Sequence, residues 1–188
     1  LFAVYLDPKF QQPMIVVMGQ DADPTKARVV LDPNKLDPTG GTSFDWFVPS
    51  PGGERIAVSL SKGGSEDGSL HVFDVATGRQ VGEAIPRVQY PTAGGDAAWT
   101  PDGKGFWYTR YPDPDRPADE QHFHQRVWFH RLGEDPKTDA QVFGDGLPKV
   151  AEIRLDYSDE AGALLVTVQK GDGGEFAQEG DRCHFARA

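Results

Sequence analysis

The chain has 188 residues, 22 of them Gly and 15 Pro, with 11% aromatic and 38% apolar side chains. That profile suits many short strands joined by tight turns and argues against a helical bundle or disorder throughout. Nineteen basic against 29 acidic residues give a net charge of −10, and without a Lys/Arg cluster such a surface repels a phosphate backbone, so no nucleic-acid partner is expected.

In chain order, a leading partial unit predicts strands at 2–6, 14–18 and 28–31. A second unit runs as a strand over 44–48, the turn Ser50-Pro51-Gly52-Gly53, and a strand over 55–61. There Ile56, Val58 and Leu60 share one face at period two. A loop over 63–68, a strand over 70–75, the turn Ala76-Thr77-Gly78 and an outer strand over 80–85 complete it. The third unit repeats this order: 96–99, the turn Thr100-Pro101-Asp102-Gly103, then 105–110. Its next connection, 112–120, is rich in Pro and Asp and is expected to be exposed and mobile. Strands over 126–132 and 140–143 follow. A fourth unit has strands over 151–157 and 163–169 around Ser158-Asp159-Glu160-Ala161-Gly162.

A turn-centred unit of about 45 residues with four antiparallel strands is a propeller blade. The fold class expected is therefore all-β: an incomplete β-propeller of about three to four four-stranded blades, at 1–36, 44–86, 94–143 and 151–178. An irregular tail follows at 179–188. Propellers close with roughly four to eight blades, so the chain reads as a segment of a ring. No apolar run approaches the roughly 18 residues of a membrane span, and no membrane partner is expected. The single Cys183 rules out an internal disulfide framework and fits a reducing compartment, so the expected location is the cytoplasm, with the periplasm as alternative. The chain opens inside a strand, at Leu1; a removed or missing leader stays open.

The order of residues resembles the propeller of the prolyl oligopeptidase family of serine peptidases. The resemblance is carried by Val30-Leu31-Asp32-Pro33-Asn34, Trp46-Phe47-Val48-Pro49-Ser50-Pro51, Arg87-Val88-Gln89-Tyr90, Ala98 through Tyr108, and Gln125 through Gly133. It implies a parent with a seven-bladed propeller joined to an α/β-hydrolase domain, which carries a Ser-Asp-His triad and cuts short peptides. In that arrangement the propeller covers the active site, excludes folded proteins and supplies some pocket walls. Its partners would be the C-terminal hydrolase domain and short peptide substrates. The resemblance also implies that Tyr90 faces a substrate pocket, against an equal reading of simple packing, and that Ala151, Glu152, Asp172 and Phe176 are further wall positions. Preference for proline over basic residues does not carry across.

Catalytic residues are not expected within the chain. A hydrolase nucleophile needs Gly-x-Ser-x-Gly on a strand-to-helix turn; Gly63-Gly64-Ser65-Glu66-Asp67 lacks the last Gly and precedes a strand. His122 and His124 would share a face if extended, with Asp119, Glu120 and His130 nearby, but the spacing fixes no third ligand. Asp172-Gly173-Gly174-Glu175 lacks the graded oxygen ligands of a calcium loop. Neither metal nor other cofactor is expected. Trp46, Trp99, Trp107 and Trp128 read as packing residues. The alternative to the peptidase reading is a binding module that stands alone or self-associates through open blade edges.

Overall fold

In the computed structural model, residues 1–113 and 115–171 are described, and their strands form four antiparallel sheets. The first contains β1 (Phe2–Tyr5), β2 (Met14–Val17) and β3 (Arg28–Leu31). The second contains β4 (Thr42–Pro49), β5 (Arg55–Lys62), β6 (Gly68–Asp74) and β7 (Gln80–Gln89). The third contains β8 (Ala97–Trp99), β9 (Gly105–Arg110), β10 (Arg126–Arg131) and β11 (Ala140–Phe143). The fourth pairs β12 (Ala151–Ser158) with β13 (Ala163–Lys170). Strands follow one another in each sheet in chain order. The all-β, partial-propeller expectation holds.

Alternation along the strands explains the stacking. On β5, Ile56 and Val58 join a cluster with Ile15, Val30 and Leu31 of the first sheet, while Ala57 turns to the opposite cluster. On β9, Phe106 and Tyr108 pack with Leu70, Val72, Ile85 and Val88 of the second sheet. Trp107, one residue out of phase, packs with Ile153, Leu155 and Leu164 of the fourth. Both faces of the middle sheets are therefore apolar, as period-two sequences between two neighbours must be. Trp99 and Trp107 are buried, and Trp46 and Trp128 lie against the same core.

The repeated turns have one chemistry. Ser50 Oγ accepts from Arg55 N at 3.1 Å, and Thr100 Oγ accepts from Gly105 N at 3.1 Å. Gly53 and Gly103 take φ of 70° and 63°, where a Cβ is disfavoured. Short connections not anticipated from the sequence also share a device. At Asp23-Pro24, Asp32-Pro33 and Asp135-Pro136 the Asp side chain caps a short helical turn that opens with Pro. The second of these is α1 (Pro33–Leu36), which leads from the first sheet into the second.

Hydrogen bonds cross between sheets. Trp99 Nε1 donates to Val48 O at 2.9 Å, and Leu155 N donates to the Asp96 carboxylate at 2.8 Å. Strands β4, β8 and β12, with their flanking residues, line a hollow of about 290 Å³, bordered by Val48, Trp99, Leu155, Tyr157, Asp96 and Asp159.

Candidate substrate-facing site

Where β7 passes into the third sheet, its backbone leaves the extended region. Arg87 has φ 64°, left-handed for a residue with a Cβ. Its carbonyl accepts from Tyr111 N at 2.8 Å, which fastens β7 to the end of β9. Its guanidinium reaches the other way: Nε donates to Pro112 O, Nη2 to Gln121 O, and Nη1 to the Tyr90 hydroxyl at 3.0 Å. One side chain thus holds both ends of the exposed connection and the phenol.

Tyr90 is 4% exposed. Tyr111 meets it edge-on, with centroids 4.9 Å apart, and His122 stacks on it at 4.3 Å and 20°. His122 is itself exposed, so the imidazole covers the Tyr90 ring from the solvent side. Below, Gly94 N donates to Tyr90 O at 2.9 Å, closing the turn through Pro91, Thr92 and Ala93. Gly94 O accepts from the Tyr111 hydroxyl at 3.0 Å and from Gln125 Nε2 at 2.9 Å. Gln125, 2% exposed, also accepts from Ile153 N at 3.2 Å. The aromatic pair therefore rests on a polar chain that reaches the fourth sheet.

Burial pushes the Tyr90 phenol up, against the opposing pull of the Arg87 charge; Asp67 adds to the rise. Burial raises Tyr111 as well, with the Glu152 charge reinforcing it. Both hydroxyls stay protonated near neutral pH and act as donors. The site offers the outer face of the His122–Tyr90 stack and, beside Tyr111, one half-buried carboxylate, that of Glu152. It holds no arrangement for bond cleavage by itself: Ser65, in the exposed 63–67 loop, accepts from Asp67 N at 3.2 Å.

The positions singled out from the sequence fall as follows. Tyr90 lies at the centre of the aromatic pair. Glu152 is half-buried and faces Tyr111 electrostatically, and Ala151 is buried at the start of β12. Asp172 and Phe176, like the 172–175 run considered for calcium, lie outside the described residues. The two histidines do not share a face. His124 has φ 63°, so the segment is not extended there; His122 turns to Tyr90 while His124 lies 3.5 Å from Glu120. His130 instead pairs with Asp139 at 2.9 Å, in a buried group that also takes the Tyr108 hydroxyl. Among the described residues no group of three or more His, Cys, Asp and Glu is placed to hold a metal ion. The sequence reading used Arg87 and Gln125 only for resemblance and missed their roles.

A profile described as "Prolyl oligopeptidase, N-terminal beta-propeller domain" matches residues 4–176. The chain belongs to this family. Among curated proteins, it is similar to Prolyl oligopeptidase A of Galerina marginata, 28% identical over 167 residues, covering 79% of this chain and 22% of that protein. It is also similar to the Prolyl endopeptidase of Elizabethkingia miricola, 31% identical over 147 residues, covering 73% and 19%. The chain thus spans about a fifth of the length of these relatives. A solved prolyl endopeptidase structure, from work on inter-domain dynamics in catalysis and specificity, superposes with a TM-score of 0.77 at 27% identity. It covers 90% of this chain and 24% of its own. Prolyl oligopeptidase B of Galerina marginata, without ligand, superposes at 0.69 with 19% identity, which speaks to the fold alone; the match covers 89% of this chain and 24% of that one. This prolyl oligopeptidase propeller therefore has its aromatic site where the second and third sheets meet.

Proposed function

We propose that this propeller segment works within a prolyl oligopeptidase-type serine peptidase, screening short peptides before they reach a catalytic α/β-hydrolase domain. The observation that carries the reading is the buried Tyr90–Tyr111 pair, with the exposed His122 ring stacked on Tyr90 from the solvent side. A compact ring of a peptide, a prolyl or aromatic side chain, extends this stack on the solvent side of His122. Glu152, half-buried beside Tyr111, supplies a polar neighbour for the peptide backbone. The reaction itself belongs to groups outside this chain, and screening is steric: stacked blades admit slender, flexible chains and turn away folded ones. The one Cys, Cys183, favours a reducing compartment, the cytoplasm.

The test is made in the full-length protein. Tyr90→Ala should raise KM for short peptides about tenfold with kcat held within about twofold, the pattern of lost uniform binding. Tyr5→Ala, in the first sheet, should leave both constants unchanged. Equal KM values for wild type and Tyr90→Ala across a peptide series would remove Tyr90 from the substrate wall. Peptide hydrolysis by the isolated chain would overturn the division of labour.

A further inference from the structure

We propose that Arg87 is a positioning residue for the Tyr90 wall: it touches no substrate, yet sets where both the phenol and the covering imidazole lie. The inference rests on the substrate-wall reading of Tyr90 and adds the residue that builds it. Three acceptors far apart in sequence meet on one guanidinium: Pro112 O, Gln121 O and the Tyr90 hydroxyl. Its planar fork of donors suits three divergent acceptors, and a lysine ammonium in the same place would not span them in one geometry. Gln121 immediately precedes His122, so the bond to Gln121 O fixes the peptide that carries the imidazole stacked on Tyr90. Arg87 thereby holds the two rings of the stack by separate arms.

The backbone at Arg87 gives independent support. A left-handed φ of 64° favours Gly, yet the position carries a large side chain. The strain is tolerated in exchange for a direction: at this bulge the side chain leaves the line of β7 and crosses to the neighbouring connection. The aromatic contact beside it, with the Arg87 guanidinium carbon 5.2 Å from the Tyr90 centroid, completes the clasp.

Arg87→Gly separates the two contributions, because Gly relieves the backbone while deleting the clasp. The melting temperature should stay within a few degrees of wild type, whereas amides of residues 115–124 should exchange at least about tenfold faster, given the strength of charge-assisted bonds. Arg87→Lys should give the same acceleration within about threefold, since one ammonium cannot replace the fork. In the full-length protein, Arg87→Gly should raise KM for short peptides with kcat little changed. Unchanged exchange over 115–124 in both variants would overturn the clasp, whatever Tyr90 does. Faster exchange with unchanged KM in Arg87→Gly, where Tyr90→Ala does raise KM, would overturn the positioning role alone. If Tyr90→Ala leaves KM unchanged, the substrate-wall reading fails and takes the positioning role with it, even where the exchange result stands.

Discussion

Two buried polar side chains tie distant segments together, one between sheets and one within a sheet. Gln125 joins Gly94 O to Ile153 N, across an interval that no strand pairing covers. Its replacement by Ala leaves a buried N–H and a buried carbonyl each short of a partner, a loss of about 2–3 kcal/mol. Gln125→Glu keeps the acceptor for Ile153 N but points a carboxylate oxygen at Gly94 O, so it should be no more stable than the Ala variant. Urea unfolding at constant m-value measures both, and a Glu variant close to wild type would show that the amide donor is idle. The second case is Asp139, whose carboxylate takes Tyr108 Oη at 2.8 Å and His130 Nδ1 at 2.9 Å within the third sheet. Neither role could be read from the sequence: a Gln before a strand or an Asp in a loop becomes buried only when distant segments close over it. Tyr90 is the contrasting residue. Its type and its place ahead of Pro91 drew attention, but the partners that define it come from residues 111 to 122.

At the scale of elements, the period-two runs were legible because the inner strands of the middle sheets meet an apolar neighbour on either side. The strand carrying Ile56, Val58 and Leu60 and the strand from Gly105 to Arg110 follow that rule. The glycine-bearing turns were legible, but bends without glycine were not: Arg87 and His124 adopt left-handed backbones although each carries a side chain. The Asp-Pro turns were missed although their chemistry is local: the Asp caps and the Pro fixes φ at the first helical position. Carboxylates that accept from nearby hydroxyls and N–H groups contribute to the response to acid. Asp23, Asp37 and Asp74 are held below the ordinary carboxylate range first by the hydroxyls of Thr25, Thr39 and Thr77, and Asp102 first by the Lys104 N–H. A carboxyl depressed in the folded state contributes stability above its unfolded pKa of about 3.9, and loses it as pH falls through the folded value. His71 acts in the same direction. Burial lowers it beneath 6.5, so its contribution is present above the unfolded value and declines below it, despite the opposing hydrogen bond to Gln80. Asp96 alone among these opposes them: burial raises it, so its share is greatest when protonated and fades as pH rises. The melting temperature should therefore hold near neutrality, begin to fall below about pH 6.5 as His71 charges, and fall further below about pH 4. In Asp74→Asn the drop below pH 4 should be shallower; a melting temperature that rises on acidification from pH 7 to 4 would reverse the assignment.

Over the whole molecule, stability is built sheet against sheet, so it should not be uniform. In a stacked repeat each unit is held by its own pairing and by nearest-neighbour contacts. The second and third sheets have four strands each and a packed neighbour on both faces. The first sheet has three strands, and Val4, Tyr5, Leu6 and Phe10 around its edge remain exposed, Leu6 by 75%. Among the described residues the fourth has one hairpin, hydrogen-bonded inward through Ile153 and Leu155 of its first strand, while Leu164 of the second packs in the cluster with Trp107. In the 188-residue chain by itself, local opening should accordingly begin in the first and fourth sheets and reach the middle last. Amide exchange provides the reading: β5, β6 and β9 should be protected near the global limit, and β1 and β13 should exchange at least about a hundredfold faster, the ratio that a difference near 2.7 kcal/mol produces. The contrast also bears on the proposed substrate-facing site. Arg87, Tyr90, Tyr111 and Gln125 all lie at the junction of the two well-covered sheets, so the wall should persist while the outer strands fray. Equal protection in all four sheets would mean that the array melts as one unit, and the placement of the wall at its most protected junction would lose its physical reason.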